Sequence, residues 1–247
     1  TIFYQKSLRL FAFDFGISDS GRNIGQDIKQ RMWPSLAVAL PSLLVGLTVN
    51  ICVALMMVLF RQSYLEFSII VLCIIIMSVS SLFYIIGGQF IIGKLLLLVP
   101  ISGYDTGINA YKFLILPVLI SVVSGIGPGA RWYRTLFLEE IEQDYVRTAR
   151  AKGLTETQVL FKHVLKNAMI PILTGVVVIL PLLFMGSLIT ESFFSIPGLG
   201  SYTIDAIKSQ DFAIVRAMVF LGSVLYIIGL LLTDISYTLV DPRVRLS

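Results

Sequence analysis

Charged residues divide this chain into long uncharged windows. Ser35–Phe60, Phe67–Gly93, Phe113–Ala130 and Asn167–Thr190 contain no Asp, Glu, Lys or Arg. Ala217–Thr233 is a fifth such window, and Phe212–Val215 extends it past Arg216. About 18 apolar residues suffice for a helix to cross the hydrocarbon core of a bilayer. Lipid offers no partner for backbone N–H and C=O groups, so each window is predicted to be a helix that bonds its own backbone. A transmembrane barrel would instead show short segments of alternating polarity. The pattern therefore predicts an all-α, polytopic membrane helix bundle with five spans. Pro41, Pro117, Pro171 and Pro181, and glycines such as Gly46, Gly87, Gly88, Gly125, Gly127 and Gly129, fall within or at the edges of the spans. Kinks and close helix packing account for them.

The longest polar stretch is Arg131–Lys166. Within it Thr135–Ala151 lacks Gly and Pro and places Leu136, Leu138, Ile141, Tyr145, Val146 and Ala149 at roughly helical spacing, which predicts one helix. Gly153 should stop it. Thr155-Glu-Thr-Gln158 matches a capping box and opens a predicted second short helix, Glu156–Leu165. A short amphipathic helix between two spans has two readings. It can lie among lipid headgroups, or it can dock into a groove on a cytoplasmic partner. Periodicity does not separate them.

Composition sharpens the membrane reading. Hydrophobic residues make up 56% of the 247 and charged residues 14%, with mean hydropathy +0.88. Soluble domains run at about 45–50% apolar and about 25% charged. A soluble enzyme, a disordered chain and a disulfide scaffold are excluded on these grounds, and Cys52 and Cys73, both in apolar runs, read as small hydrophobes. The distribution of Lys and Arg then gives orientation. Arg61; Arg131, Arg134, Arg147, Arg150, Lys152, Lys162 and Lys166; and Arg243 and Arg245 fall on one side, against Lys94, Lys112 and Lys208 on the other. The richer side should be cytoplasmic. This makes residues 1–34 an extracytoplasmic segment, 35–247 the transmembrane domain, and 131–166 a cytoplasmic loop. Thr1–Arg9 is no basic lead into an apolar signal region. The segment 1–34 is itself basic, with Lys6, Arg9, Arg22, Lys29 and Arg31. A sixth span upstream of Thr1 would explain its translocation and is expected.

Polar residues within the spans are the candidates for a translocation path: Asn50, Ser78, Ser81, Gln89 and Arg216. Glu191 and Asp205 lie in the last external loop, where a partner could meet them. No phosphate-binding loop ending Gly-Lys-Ser/Thr is present. No catalytic set and no metal-ligand spacing stands out, and the lone His163 reads as an interface residue.

The run Tyr145-Val-Arg-Thr-Ala-Arg-Ala-Lys-Gly-Leu154, with His163-Val-Leu-Lys-Asn-Ala-Met-Ile-Pro171, resembles the cytoplasmic loop of binding-protein-dependent ABC importer permeases. It is similar in particular to the dipeptide/oligopeptide/nickel branch. Asp14-Phe-Gly-Ile-Ser18, Val99-Pro-Ile-Ser-Gly103, Glu191-Ser-Phe-Phe-Ser-Ile-Pro-Gly-Leu-Gly200 and Asp241-Pro-Arg243 resemble further pieces of the B-type permease in the same order. Phe15-Gly-Ile-Ser-Asp-Ser-Gly-Arg-Asn23 also resembles a C-type motif. Where the general loop pattern has Glu-Ala-Ala, this chain has Arg147-Thr148-Ala149, and Gly153 stands at the pattern's Gly.

The resemblance implies a non-catalytic half-transporter in the bacterial cytoplasmic (inner) membrane. Its implied partners are a second homologous permease, two cytoplasmic ABC ATPases that bind ATP and Mg, and an extracytoplasmic substrate-binding protein, with no nucleic acid. It implies no cofactor in this chain. Arg147, Thr148, Ala149, Arg150, Ala151, Lys152, Gly153 and Leu154 would form the ATPase-coupling segment. Small Ala149 and Ala151 would allow close approach, and Arg147, Arg150 and Lys152 would offer charge. Peptides are the expected cargo, with a nickel or metal-chelate permease as the alternative. An ion-coupled secondary transporter should show internal repeats, and none is visible.

Overall fold

The computed structural model describes residues 8–107 and 109–240. Thr1–Ser7, the Asp241-Pro-Arg243 ending and Arg245 lie outside the described residues, as does the side chain of Arg9. A short 3-10 turn, Leu8–Ala12, precedes the first long helix. Apart from a single bridge between Ile17 and Asn23, regular structure among the described residues is helical.

Helix α1 is Ile24–Leu59. It begins eleven residues before its uncharged window because Asn23 caps it, Oδ1 accepting from the Gln26 amide at 3.2 Å. It runs without a break through residues 34 and 35, where charge pattern put a domain boundary. Helix α2, Tyr64–Ser78, opens on Ser63, whose hydroxyl accepts from the Glu66 amide at 3.3 Å, while the Glu66 carboxylate returns to the Gln62 amide at 2.6 Å. Helix α3, Ser81–Gly88, passes into a π-helical turn, Gln89–Leu95. The window Phe67–Gly93 is therefore not one straight span. The chain bends by 89° between Tyr64–Ser78 and Ser81–Leu95. The Tyr84 hydroxyl donates to the Ile76 carbonyl at 2.9 Å and ties the two arms.

Helix α4, Ala110–Ile141, extends eleven residues past its window, so Thr135–Ala151 is not a single helix. It stops at 142–143, and α5, Asp144–Ala151, starts afresh. Glu139 and Glu140 sit at the negative end of α4's dipole, where carboxylates are unfavourable, and Asp144 sits at the positive end of α5, where one is favourable. Helix α6, Glu156–Val159, continues through a π-helical turn, Leu160–Val164, into α7, Leu165–Leu182. The predicted separate helix Glu156–Leu165 is thus the first part of a span, Glu156–Met185. Helices α8, Leu188–Phe194, α9, Leu199–Lys208, and α10, Phe212–Val240, complete the order. Among the described residues, four helices are long and apolar enough to cross a membrane, and the bent pair, taken as one broken span, brings the number to five.

The chain divides into two compact units. One holds, of the described residues, 8–40, 88–107, 109–117 and 177–235. Its core is Ile24 and Ile28 of α1, Leu199, Tyr202 and Ala206 of α9, and Ile214, Ala217 and Met218 of α10. Asp211 caps α10, Oδ1 accepting from the Ile214 amide and Oδ2 from the Asp19 amide at 3.0 Å, which ties the N-terminal turn to the last span. The other unit holds 41–87, 118–176 and 236–240 of the described residues. Its core joins Ala54, Leu55, Met57 and Val58 of α1, Cys73 of α2, Ala130 and Phe137 of α4, Val146 and Ala149 of α5, and Val159, Leu160, Val164, Ala168 and Ile172 along the stretch from α6 to α7. Only 22–33% of each long span's apolar window is buried within the chain. Much of the rest, including Leu44, Leu119, Ile179 and Leu231, faces outward and suits lipid or a neighbouring subunit.

Candidate functional site

The most distinctive polar feature of the second unit is the arm from α5 to α6. Helix α5 carries strongly one-sided polarity: Val146 and Ala149 are buried in the core, while Asp144, Arg147, Thr148, Arg150 and Ala151 are exposed. The Tyr145 hydroxyl donates to the Glu140 carboxylate and pins α5 to the end of α4. Burial first, then this hydrogen bond to an anion, pushes the Tyr145 phenol up to about 12. At the other end Gly153 takes φ +81°, the left-handed conformation that a side chain resists. Thr155 then caps α6 with a complete capping box: its hydroxyl accepts from Gln158 N–H, and the Gln158 side chain accepts from Thr155 N–H at 3.1 Å. The glycine stop and the cap both form as their spacing predicts.

Two expectations about this arm change. Ala149 faces the chain's own core, so its small size serves internal packing, and only Ala151 is exposed. Arg150 grips Glu156 with two hydrogen bonds, Nε to Oε1 at 2.8 Å and Nη2 to Oε2 at 3.0 Å, across the Gly153 turn. Arg147 meets Asp144 at 3.3 Å. Both arginines thus have partners within the chain, and Lys152 is the exposed cation of the run that has none among the described residues. Leu154 is half-buried against the core.

The path candidates are scattered. Asn50 is buried in α1, and its Oδ1 is the one buried side-chain polar atom without a hydrogen-bond partner among the described residues. Ser78 is exposed and donates back to the Ile74 carbonyl, and Ser81 is exposed at the start of α3. In the other unit, Gln89 spends its amide on the carbonyls of Ile101 and Phe193, both at 3.1 Å, and so ties the loop around Ile101 to α8. Arg216 is half-buried beside a cavity of about 650 Å³ that Asp14, Asp19 and Asn23 also line.

Of the two external carboxylates, Asp205 is exposed and Glu191 is not. Glu191 is 1% exposed. Its Oε1 accepts from the Ser187 amide at 3.2 Å, and its Oε2 accepts from the amides of Gly200 at 2.8 Å and Ser201 at 3.2 Å. The Ser35 hydroxyl also bonds it and accepts from the Leu199 amide at 2.8 Å. Gly186 and Gly198 lie so close to the carboxyl that a Cβ on either would collide with it. In this conformation Glu191 knots α1, α8 and α9 together and offers no surface to another protein. Burial raises its carboxyl above the usual value, against the pull of the bonds from Ser35, Ser201, Ser187 and Gly200.

Arg131 and Arg134 open the polar stretch that follows the third uncharged window. Both lie within α4. Arg134 forms an ion pair with Glu66 of α2, its Nε donating to Oε1 at 3.0 Å. Arg131 extends to Met77, Nη1 to Sδ 3.6 Å, and no carboxylate pairs with it among the described residues. The signal available in sequence was Ser63-Tyr-Leu-Glu66, which starts α2 early enough for Glu66 to sit on a helix.

Residues 51–246 match the family model described as the binding-protein-dependent transport system inner membrane component. A Brucella abortus (strain 2308) protein named as a peptide transport system permease is 35% identical over 242 residues, 96% of this chain and 77% of the relative. The oligopeptide transport system permease protein of Bacillus subtilis (strain 168) is 30% identical over 240 residues, 94% and 76% of the two chains. The dipeptide transport system permease protein of the same organism is 29% identical over 248 residues, 99% and 78%.

Proposed function

Because the chain belongs to the family of binding-protein-dependent transport inner membrane components, we propose that it is the permease subunit of a peptide importer. It is a multi-pass protein of the bacterial inner membrane. As an ABC importer permease it works with ATPase partners. In the proposed assembly it pairs with a second homologous permease to enclose the path. Two cytoplasmic ATPases bind ATP and Mg and push on the membrane bundle, and an extracytoplasmic binding protein delivers the peptide. The chain itself carries out no chemistry. In this assembly the α5–Gly153–α6 arm is the part that meets the ATPases.

The observation that carries this reading is the α5–Gly153–α6 arm. A coupling element must present a rigid surface to the ATPase and be fixed to the spans that move. Here the exposed face of Arg147, Thr148, Ala151, Lys152 and Gly153 is one side of a helix whose other side, Val146 and Ala149, is buried in the core that joins α1, α2, α4 and α7. Helix α6 leads without a loop into the span Glu156–Met185, so a push on the arm passes directly to that span. The helix-in-groove mode fits a short helix of this kind.

The test is Gly153→Asp in the assembled transporter. Added strain at φ +81° and a charge in the turn should abolish peptide uptake while the subunit stays in the membrane and ATP hydrolysis continues without its usual stimulation by the binding protein. Normal uptake by this variant would remove the arm from the mechanism.

A further inference from the structure

Two open cavities meet on the face between α2 and α4. One, of about 710 Å³, lies along the start of α2 and is lined by Tyr64, Glu66, Phe67 and Ile70, with Arg134 of α4. The other, of about 400 Å³, is lined by Ile70 and Met77 of α2 and by Pro128, Arg131, Trp132 and Arg134 of α4. Ile70 and Arg134 belong to both, so the two form one groove within a single compact unit. Both helices change character along it. Helix α4 is uncharged from Phe113 to Ala130 and carries Arg131, Arg134, Glu139 and Glu140 after that. Helix α2 follows Arg61, holds Glu66 in its first turn and is uncharged from Phe67 on. In an inner-membrane protein such a change suits the passage of a helix from headgroups into hydrocarbon, where Trp and Tyr are enriched. Tyr64 and Trp132 are both exposed along this groove.

The charges of the groove do not cancel. Arg134 is neutralised by the buried Glu66, its Nε donating to Oε1 at 3.0 Å. Arg131 is exposed, and no carboxylate pairs with it among the described residues. Its Nη1 reaches Met77 Sδ at 3.6 Å, which holds the guanidinium along the groove. A thioether is a weak acceptor and a guanidinium has five N–H donors, so most of the donors stay open. One surplus cation thus stands beside an apolar wall of Ile70, Met77 and Pro128. Free phosphate would use the cation and leave the wall bare. A zwitterionic lipid would cover the wall but bring a cation of its own to the guanidinium. An anionic lipid answers both, and basic pockets between spanning helices take such headgroups.

We propose that the groove between α2 and α4 is a binding site for an anionic phospholipid. The phosphodiester meets the Arg131 guanidinium, an acyl chain lies over Ile70 and Met77, and Trp132 borders the headgroup. The bound lipid bridges α2 and α4 beside the Glu66–Arg134 pair. The site rests on the chain's place in the inner membrane and not on what the transporter carries.

The experiment is native mass spectrometry of the intact transporter with added phosphatidylglycerol or phosphatidylcholine of matched acyl chains. The complex should retain phosphatidylglycerol in preference. Arg131→Gln should lower that retention about fivefold, the contribution of one basic residue at an anionic surface. Arg131 is exposed, so this variant keeps the fold. Lys208→Gln, which removes a cation outside the groove, should leave retention unchanged. Ile70→Trp, which fills the part common to both cavities, should lower it with Arg131 in place. Undiminished retention in Arg131→Gln, or an equal loss in Lys208→Gln, would overturn the proposal. Displacement of the lipid by excess inorganic phosphate would make this a site for a free anion and overturn it as well. Phosphatidylglycerol with a photoreactive acyl chain, added to membranes before purification, locates the lipid. Adducts should fall within residues 62–77 and 128–135. Adducts only elsewhere would show that another subunit covers the groove and would overturn the proposal.

Discussion

At the scale of single residues, the buried carboxyl of Glu191 ties together the segments around it. Its two oxygens receive three backbone amides from segments up to ten residues away, and Ser35 extends the network to α1. A buried amide that loses its acceptor costs about 1–3 kcal/mol. Glu191→Ala orphans the amides of Ser187, Gly200 and Ser201 together. It should therefore destabilise far more than Ser35→Ala, which orphans the Leu199 amide, and the thermal melting of the purified complex should fall in that order. The pH dependence follows from burial. The folded carboxyl has a raised pKa, so the native chain holds its proton over a range in which the unfolded chain has lost it. Stability then falls as pH rises from the ordinary glutamate value through the raised one, and is retained below that window. Glu191→Gln, which has no proton to lose, should flatten this slope in melting temperature against pH. A slope unchanged in Glu191→Gln would assign it to another group.

At the scale of elements, uncharged windows proved a good guide to where lipid-facing helix occurs and a poor one to where helix ends. Each window lies within helix for most of its length, but α1 and α4 each run eleven residues past a window edge. Helices keep charges at their ends by capping, by snorkelling or by pairing, as Glu66 and Arg134 do. The corner after Ser78 escaped notice because Ser78-Val-Ser-Ser81 is uncharged and three serines are ordinary in a membrane helix. The Gly153 turn and the Thr155 cap were legible because they are local devices, fixed by residues within four positions of each other. The Arg150–Glu156 grip was not, since six residues separate its partners and only the turn brings them together. That grip makes a prediction that separates an internal role from a contact with the ATPase. An exposed ion pair is worth about 0.2–1 kcal/mol, so Arg150→Glu or Glu156→Arg alone should lower coupled uptake by up to about fivefold. The double reversal should restore it, with uptake per ATP hydrolysed as the measurement. If the double variant stays as poor as Arg150→Glu, then Arg150 serves the partner and not the turn.

At the scale of the whole molecule, the chain's surface is too apolar to stand alone and its inventory too sparse to drive transport. Outward-facing residues such as Phe83, Phe90, Leu97 and Leu98 in one stretch, and Phe212, Val219 and Leu231 in another, require lipid or a second subunit. An ion-coupled carrier would need ionisable groups arranged to bind and release its driving ion. The charges here are placed otherwise. Glu66 is neutralised by Arg134, and Glu191 is enclosed by backbone amides. In the proposed importer, energy enters from the ATPases, and the exposed α5 arm is the surface proposed to receive it. The expected result is that uptake into vesicles requires ATP on the cytoplasmic side and co-purified ATPases. It should fall to background when the lysine of their phosphate-binding loop is replaced, whatever ion gradient is imposed. Uptake that persists on a proton or sodium gradient with the ATPases disabled would refute the importer assignment. It would also recast Glu66 and Arg134 as a gated pair, because transport would then need a charge that changes partners within the bilayer, and theirs is the one ion pair that this chain forms between two of its spanning segments among the described residues.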